Sequence, residues 1–528
     1  MQGKKPYQEK LFVSFQLSNA VPADNIYYRL KELVDFSFLY HATAKYYGDE
    51  GQKSIDPIVF MKLMLVGYLE NLNSDRRIIS ISRMRLDILY FIGYDIDEEL
   101  PWHSTLSRTR QLYGQDIFTE MFRGVLKQCI DKGMVSGRRQ AVDGVYVKAN
   151  ASLDSMIERG IMDDVDAFSK ELNANQKEPI PIANMAKVSN RDYDDLPPKK
   201  NPSNKTHFSP TDPDAKMSVK PGKATALNYL GQVSVDTASH VITHIQAFTA
   251  DKRDSECLPE VIENLINNLS DNELKLEEIV ADTGYSSGEA IKALENKGIV
   301  GYIPNRGQFI YQRENFNYQS DGDYYSCPNG KKLIYRGISK DGNYYNKLYS
   351  LAKKECIGCP LSKLCSAYGK NGIARIKETV DRPYYQRMHL RMQSKKAKIL
   401  MKKRQSTVEP VIGTLVNHLG MKRVNVKGLA QANKCMTLAA MAYNLKKMLK
   451  HTTMHTQQKQ QTTIEGQKRE IKELFSKICF KVYDFYPIFM YSRINSSFTE
   501  QTFNTSHRFE FDEGCATATQ AKRKSPAG

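Results

Sequence analysis

Gln140–Ser152 reads QAVDGVYVKANAS, an apolar run of Ala141, Val142, Val145, Tyr146 and Val147 interrupted by one carboxylate, Asp143. A short run of this kind predicts a buried β-strand. An unpaired ionised carboxylate in a strand core costs several kcal/mol, so Asp143 is expected to have a cationic partner. Two later carboxylates are candidates to share that cation. One is Asp282 in EEIVADTGYSSGEAIKALENKG, and the other is Glu409 in KKRQSTVEPVIGTLVNHLGMKR.

Asp282 ends the strand predicted over Glu278–Asp282 and precedes Thr283-Gly284-Tyr285. A carboxylate at the C-terminal edge of a strand, followed by a glycine turn into a helix, is where α/β sheets hold ligands and metals. If Asp143 and Asp282 lie on neighbouring strands, their oxygens suit Mg²⁺ or Mn²⁺. Hard divalent ions accept few carboxylates and keep positions open for water and phosphate, and two of them can serve both the attacking and the leaving oxygen of an in-line displacement. Glu409 is the one acidic residue among nine Lys or Arg between Lys395 and Lys427. It reads either as a charge-balancing salt bridge or as a third ligand. Val408, Ile412, Leu415 and Leu419 have helical spacing, and Pro410 predicts a helix starting near Glu409. That geometry aims Glu409 at the sheet while Lys402, Lys403, Arg404, Lys422 and Arg423 meet phosphates.

Around these blocks, composition narrows the class. The 528 residues carry 76 Lys or Arg against 59 Asp or Glu, a net charge of +17 that favours a polyanionic partner. No run of about 18 apolar residues is present, which argues against a membrane span. The opening MQGKKPYQEKLFVSF lacks the features of a signal peptide, so a cytoplasmic location is expected.

Residues 1–135 read as an all-helical domain. Asp56 and Pro57 mark a helix start. From Ser74 to Gly114, a basic helix, an apolar helix and a turn lead to a further helix near Ser104. This order reads either as a helix-turn-helix with Arg108 and Arg110 facing DNA or as a small bundle with a solvated basic face. Trp102, the only tryptophan, is expected to be a packing anchor. Residues 156–223 read as a linker or mobile loop, with Asp192, Asp194, Asp195, Asp212 and Asp214 solvated in it. A hairpin over Tyr229–Asp236 and Val241–Phe248 follows. Next come helix Cys257–Leu269, the Asp282 strand, helix Ser287–Lys297 and strand Ile299–Pro304, an α/β order with a mixed sheet.

Cys327, Cys356, Cys359 and Cys365 form a spaced set between Asp282 and Glu409. They read either as a structural Zn²⁺ site holding a small β-rich piece or as four free thiols. Cys129, Cys257, Cys435, Cys479 and Cys515 are scattered and read as packing residues.

Taken in order, DGVYVKANAS, ADTGYSSGEAIKALENKGIVGYIPNR and RQSTVEPVIGTLVNHLGMKR resemble the three carboxylate blocks of bacterial insertion-sequence DDE transposases. The branch with a cysteine-bearing insertion is the most similar, over residues 5–450. The resemblance implies a ribonuclease H-like mixed-sheet core, with Asp143, Asp282 and Glu409 as catalytic Mg²⁺ or Mn²⁺ ligands. It implies DNA strand cleavage and transfer at terminal inverted repeats, in a bacterial cytoplasm, with synapsis suggesting a homodimer. On this reading residues 136–155 and 224–306 begin the core, 307–380 form the cysteine-bearing insertion, 381–450 finish the core and 451–528 extend beyond it. The alternatives are a DNA-binding protein with an inactive core and a nuclease that does not join. One departure stands out. Many relatives carry a tyrosine seven residues before the glutamate, an arginine four before it and a lysine seven after it. Those offsets fall here on Lys402, Gln405 and Val416.

Overall fold

The computed structural model describes residues 14–159, 202–219 and 224–453, apart from 49, 51–53, 73, 306–308, 312, 314, 342–343 and 370–371. The extension 454–528 and the residues Asp192, Asp194, Asp195, Cys479 and Cys515 lie outside the described residues.

The first part is helical, as the sequence predicts. Asp56 caps helix Pro57–Leu69, its Oδ1 accepting the Ile58 and Val59 amides at 2.7 and 3.2 Å. Helices Asp75–Met84, Leu86–Ile92, His103–Leu112 and Gln115–Asp131 follow. Trp102 is not a packing anchor. It occupies the extended residue before the His103 helix and is 77% exposed, while Leu106 and Tyr113 fill the core beneath that helix.

The mixed sheet expected of the core is present and has six strands among the described residues. Its central strand, Arg139–Lys148, pairs antiparallel with Ala226–Asp236 on one side and parallel with Glu278–Val280 on the other. Val300–Tyr302 adds a further parallel strand beyond Glu278–Val280. The far edge of Ala226–Asp236 takes Ile242–Thr249 over most of its length and Lys216–Ser218 at its start. The helices Asp254–Ser270 and Gly288–Asn296 are the crossover connections that parallel pairing requires.

Two expectations for residues 156–223 are corrected where that stretch is described. Lys216–Ser218 is a strand of the main sheet rather than loop. Asp212 is fully buried instead of solvated, because it accepts the Tyr229 hydroxyl at 2.6 Å and the Gly428 amide at 3.1 Å. Asp214 accepts the Leu429 amide at 2.9 Å. Both carboxylates thus hold the start of the helix over 429–453, whose stripe of Met436, Ala440, Leu445 and Met448 is buried. Asn444 and Asn433 of that helix bond the edge-strand backbone at Ile242 and Ala247, which caps a row of groups otherwise left unpaired. One apolar cluster joins the N-terminal helices, both sides of the sheet and this last helix.

A second, five-stranded antiparallel sheet spans Asn317 to Thr379 and has its own small core around Phe316, Tyr325, Leu333 and Tyr349. Helix Lys395–His418 then returns to the main sheet. It runs straight through Pro410 rather than starting near Glu409, with Ser394 as its cap, accepting the Ala397 amide at 3.1 Å.

Candidate active site

Asp143 sits in the middle of the central strand, opposite Val233, and its Oδ1 accepts the amide of Gly144 at 2.9 Å. Asp282 lies two residues beyond the neighbouring parallel strand. There its Oδ1 caps the short helical turn Thr283–Tyr285 by accepting the Gly284 amide at 2.8 Å. The two carboxylates therefore come from adjacent strands and act on each other electrostatically. Burial pushes the Asp143 carboxyl up to about 6; Arg404 pulls it down, while Asp282 and Asp254 push it up again.

The cation beside Asp143 is Arg404, whose Nη2 lies 3.0 Å from Oδ2, rather than one shared with Asp282 and Glu409. Arg404 is 5% exposed, and its Nε also donates to the Val142 carbonyl at 3.4 Å. It does not meet phosphates as expected, because it stands on the buried stripe of its helix with Val408, Val411 and Leu415. The helix is tied to the sheet a second time near its start. Lys396 pairs with Glu278 of the parallel strand, and the same carboxylate accepts Arg139 of the central strand at 2.5 Å.

Glu409 is exposed on this helix and, among the described residues, makes no hydrogen bond or ion pair. The structure thus gathers Asp143 and Asp282, and leaves Glu409 on a nearby helix surface rather than aimed at the sheet. Lys402, Lys403, Lys422 and Arg423 are exposed as expected. The last two follow the helix beside the end of the central strand, where Arg423 donates to the Asn150 side chain at 2.9 Å. Arg108 is exposed, but Arg110 is buried in an ion pair with Asp75 at 2.6 Å, which corrects its assignment to DNA.

One functional group escaped the sequence reading. Asp254, at the first turn of helix Asp254–Ser270, accepts Gln232 Nε2 at 2.6 Å. Gln232 is fully buried opposite Gly144, and its Oε1 accepts the Tyr285 hydroxyl. Burial keeps the Tyr285 phenol protonated well into the alkaline range, and Asp254, Asp143 and Asp282 all reinforce that. Three carboxylates therefore share one neighbourhood, and Arg404 pairs with one of them, Asp143. Predicting the Asp254 helix from Cys257 leaves Asp254 in a loop; the acidic first turn DSE was the available signal.

Cys327, Cys356, Cys359 and Cys365 line one cavity of about 140 Å³ in the five-stranded sheet. The Lys331 amide lies 3.3 Å from Cys327 Sγ. Among the described residues, no group of three or more His, Cys, Asp or Glu side chains is arranged to hold a metal ion. By donor chemistry, the hard oxygens of Asp143 and Asp282 and their excess negative charge fit a divalent cation. Cys129, Cys257 and Cys435 are buried, and no helix among the described residues is long and apolar enough to cross a membrane.

Comparisons with known proteins add the following. The family described as a transposase domain (DUF772) matches residues 15–112, and the transposase DDE domain matches residues 326–449. The second match includes Glu409; neither reaches Asp143 or Asp282. No curated protein matches. Among solved structures, a piggyBac transposase synaptic complex with hairpin DNA aligns at 10% identity over 82% of this chain and 76% of that one, with a TM-score of 0.32. A Mos1 mariner paired end complex with Mn aligns at 9% identity over 48% of this chain and 60% of that one, with a TM-score of 0.14. Scores this low carry no structural argument. The two domain matches lie one over the N-terminal helices and one around the last carboxylate block, and both are to families described as transposase domains.

Proposed function

We propose that the chain is a DNA strand transferase whose core is ribonuclease H-like and whose catalytic carboxylates are Asp143, Asp282 and Glu409. The observation that carries this is the placement of Asp143 on the central strand and of Asp282 just past the end of its parallel neighbour, close enough for Asp282 to push the Asp143 carboxyl up. The strand order supports the fold reading: a central strand with an antiparallel hairpin on one side and two parallel strands on the other.

In this reading Asp143 and Asp282 hold Mg²⁺ or Mn²⁺, and Glu409 approaches from its helix when DNA is bound. A bound divalent ion supplies an activated attacking oxygen and a stabilised leaving oxygen. The chain itself does the rest. Gly144 and Gly284 amides fix the two carboxylates by hydrogen bonds. Lys402, Lys403, Lys422 and Arg423 hold the phosphate backbone, and Arg108 with the helices of residues 1–135 binds the terminal inverted repeats. Work on two ends calls for a homodimer, and a bacterial cytoplasm is the setting. In the small sheet, Cys327, Cys356, Cys359 and Cys365 line one cavity but are not arranged as a metal site, so a structural Zn²⁺ there requires the four thiolates to close around the ion. Zinc content of the purified protein, with and without a chelator, tests that assignment.

One observation favours a second reading, a DNA-binding protein with a silent core. Arg404 already neutralises Asp143, and Glu409 stands exposed. The deciding experiment incubates the full chain and Mg²⁺ or Mn²⁺ with a plasmid carrying the DNA that flanks its gene. The transferase reading requires nicks at the flanks plus joined products, lost in Asp282→Asn. Nicks without joining point to a nuclease, and binding without nicks favours the silent core.

A further inference from the structure

We propose that the cavity between the five-stranded sheet and helix Arg382–Met392 binds one unpaired nucleotide of DNA, its base on tyrosine rings and its phosphate on Arg313 and Arg382; this rests on the DNA-transfer reading above. The cavity has a volume of about 290 Å³, at the lower end of small-ligand sites. That leaves room for one planar ring system and not for a duplex. Tyr311, Tyr318 and Tyr325 supply aromatic wall, and Arg313 and Arg382 supply charge. A gap left only by packing a sheet on a helix is typically apolar and dry. This one carries two guanidiniums.

Both guanidiniums are fixed in place. Arg382 lies against Tyr318 and Tyr325, with its guanidinium 4.8 and 5.9 Å from the ring centres. Its Nη1 donates to the Glu378 carboxylate at 2.6 Å and to the Tyr325 hydroxyl at 2.9 Å. Glu378 is buried and also accepts the Tyr325 hydroxyl at 2.7 Å, so Arg382 cannot swing to solvent without stranding a buried charge. Arg313 Nε comes within 3.6 Å of the same carboxylate, beyond hydrogen-bonding distance, and its Nη2 donates to the Lys377 carbonyl at 2.7 Å. Among the described residues, Glu378 is the one carboxylate paired with either arginine. Two guanidiniums held at one carboxylate attract an anion, and their planar fork matches phosphate. At the rim, Tyr311 is 37% exposed and stacks on His389 with ring centres 4.7 Å apart. Asn317 and Gln386 add amides that can hydrogen-bond a base edge. Rings for a base and cations for its backbone are the elements of a single-stranded nucleic-acid site. Stacking tolerates every base, so such a site responds to unpairing rather than to sequence.

The test measures, by fluorescence anisotropy of the full chain without divalent metal, affinity for three labelled DNAs. These are a paired duplex, the same duplex with a short unpaired tail, and that tailed duplex with an abasic tail. The two tails carry equal charge, so the difference between them isolates the base. The wild type is expected to bind the tailed duplex roughly tenfold more tightly than its abasic form. Tyr311→Ala is expected to bind the two forms alike. Arg313→Gln is expected to weaken both a few-fold and to lower their salt dependence by about one phosphate contact. Tyr335→Ala, an exposed ring of the same sheet outside the cavity, is expected to keep the wild-type preference. Thermal unfolding checks that each variant folds, and Gln386→Ala, expected to reduce the preference, carries the test if Tyr311→Ala does not. No preference in the wild type, or an unchanged one in folded Tyr311→Ala, would overturn the proposal. Binding of free dAMP that is lost in Tyr311→Ala, with no base preference in DNA, would overturn it in favour of a free nucleotide. If the paired duplex is not bound either, the DNA reading itself fails.

Discussion

The strand carboxylates and the helix carboxylate of the candidate centre are held in opposite ways. Asp143 and Asp282 are fixed by backbone: each accepts an amide of its own chain, one on the central strand and one just past its parallel neighbour. Glu409 is carried by the exposed side of a 24-residue helix, and only the opposite side of that helix is tied down, through Lys396 and Arg404. A sheet position therefore arrives preformed, whereas a helix position is set by where the helix docks. The preformed half stores like charges, and the docked half brings the cation that pairs with Asp143.

The largest effect expected from breaking the preformed half is on chemistry. Asp143→Asn or Asp282→Asn should lower flank cleavage by about a thousandfold or more, near 4 kcal/mol in barrier. DNA affinity by gel shift should change little. Breaking the tie between the halves comes next. Arg404→Met leaves Asp143 half-buried without its partner, which should cost about 3 kcal/mol in urea unfolding. Added Mg²⁺ should recover part of that loss, since a bound cation replaces the guanidinium; no shift in the urea midpoint would mean the pair is slack.

A prediction of similar or slightly smaller size probes the sheet away from the site. His244 lies on edge strand Ile242–Thr249, and burial pushes its imidazole down to about 4, against the hydrogen bond that its Nε2 donates to Gln246 Oε1 and with the nearby Arg123 charge adding to the fall. The folded state refuses the proton that the unfolded chain accepts near pH 6.5. Stability is therefore complete above about pH 6.5 and falls as pH drops toward 4, by up to about 3 kcal/mol. His244→Gln should flatten that fall in urea unfolding measured across this range. The smallest effect sharpens the exposed side of the helix. Lys402→Ala or Lys403→Ala should weaken DNA binding a few-fold for any sequence and reduce the salt dependence by about one phosphate contact each.

Much of the preformed half was legible in the sequence. The apolar run around Asp143, the hairpin, and the Asp282 turn each carry a local signal, and Asp56-Pro57 announces its helix by capping chemistry. What was misread depends on contacts between distant segments. Arg404 reads as one more surface cation in a basic helix, because its partner lies on a strand far earlier in the chain. Arg110 is misread for the same reason, since Asp75 belongs to another helix. Asp212 stands in a stretch with no periodicity, and its burial follows from the Tyr229 hydroxyl and a helix start near Gly428. Pro410 predicts a helix start locally, yet the docked helix keeps its course through it. Asp254 carries no motif of its own, and its partner Gln232 lies on a strand of another segment.

The most direct test of a single centre assembled from both halves is single-turnover cleavage of flanking DNA by Glu409→Gln. If the helix carboxylate joins Asp143 and Asp282, cleavage falls as far as in Asp143→Asn while DNA binding persists. Cleavage near the wild-type rate would contradict the account and remove Glu409 from the centre.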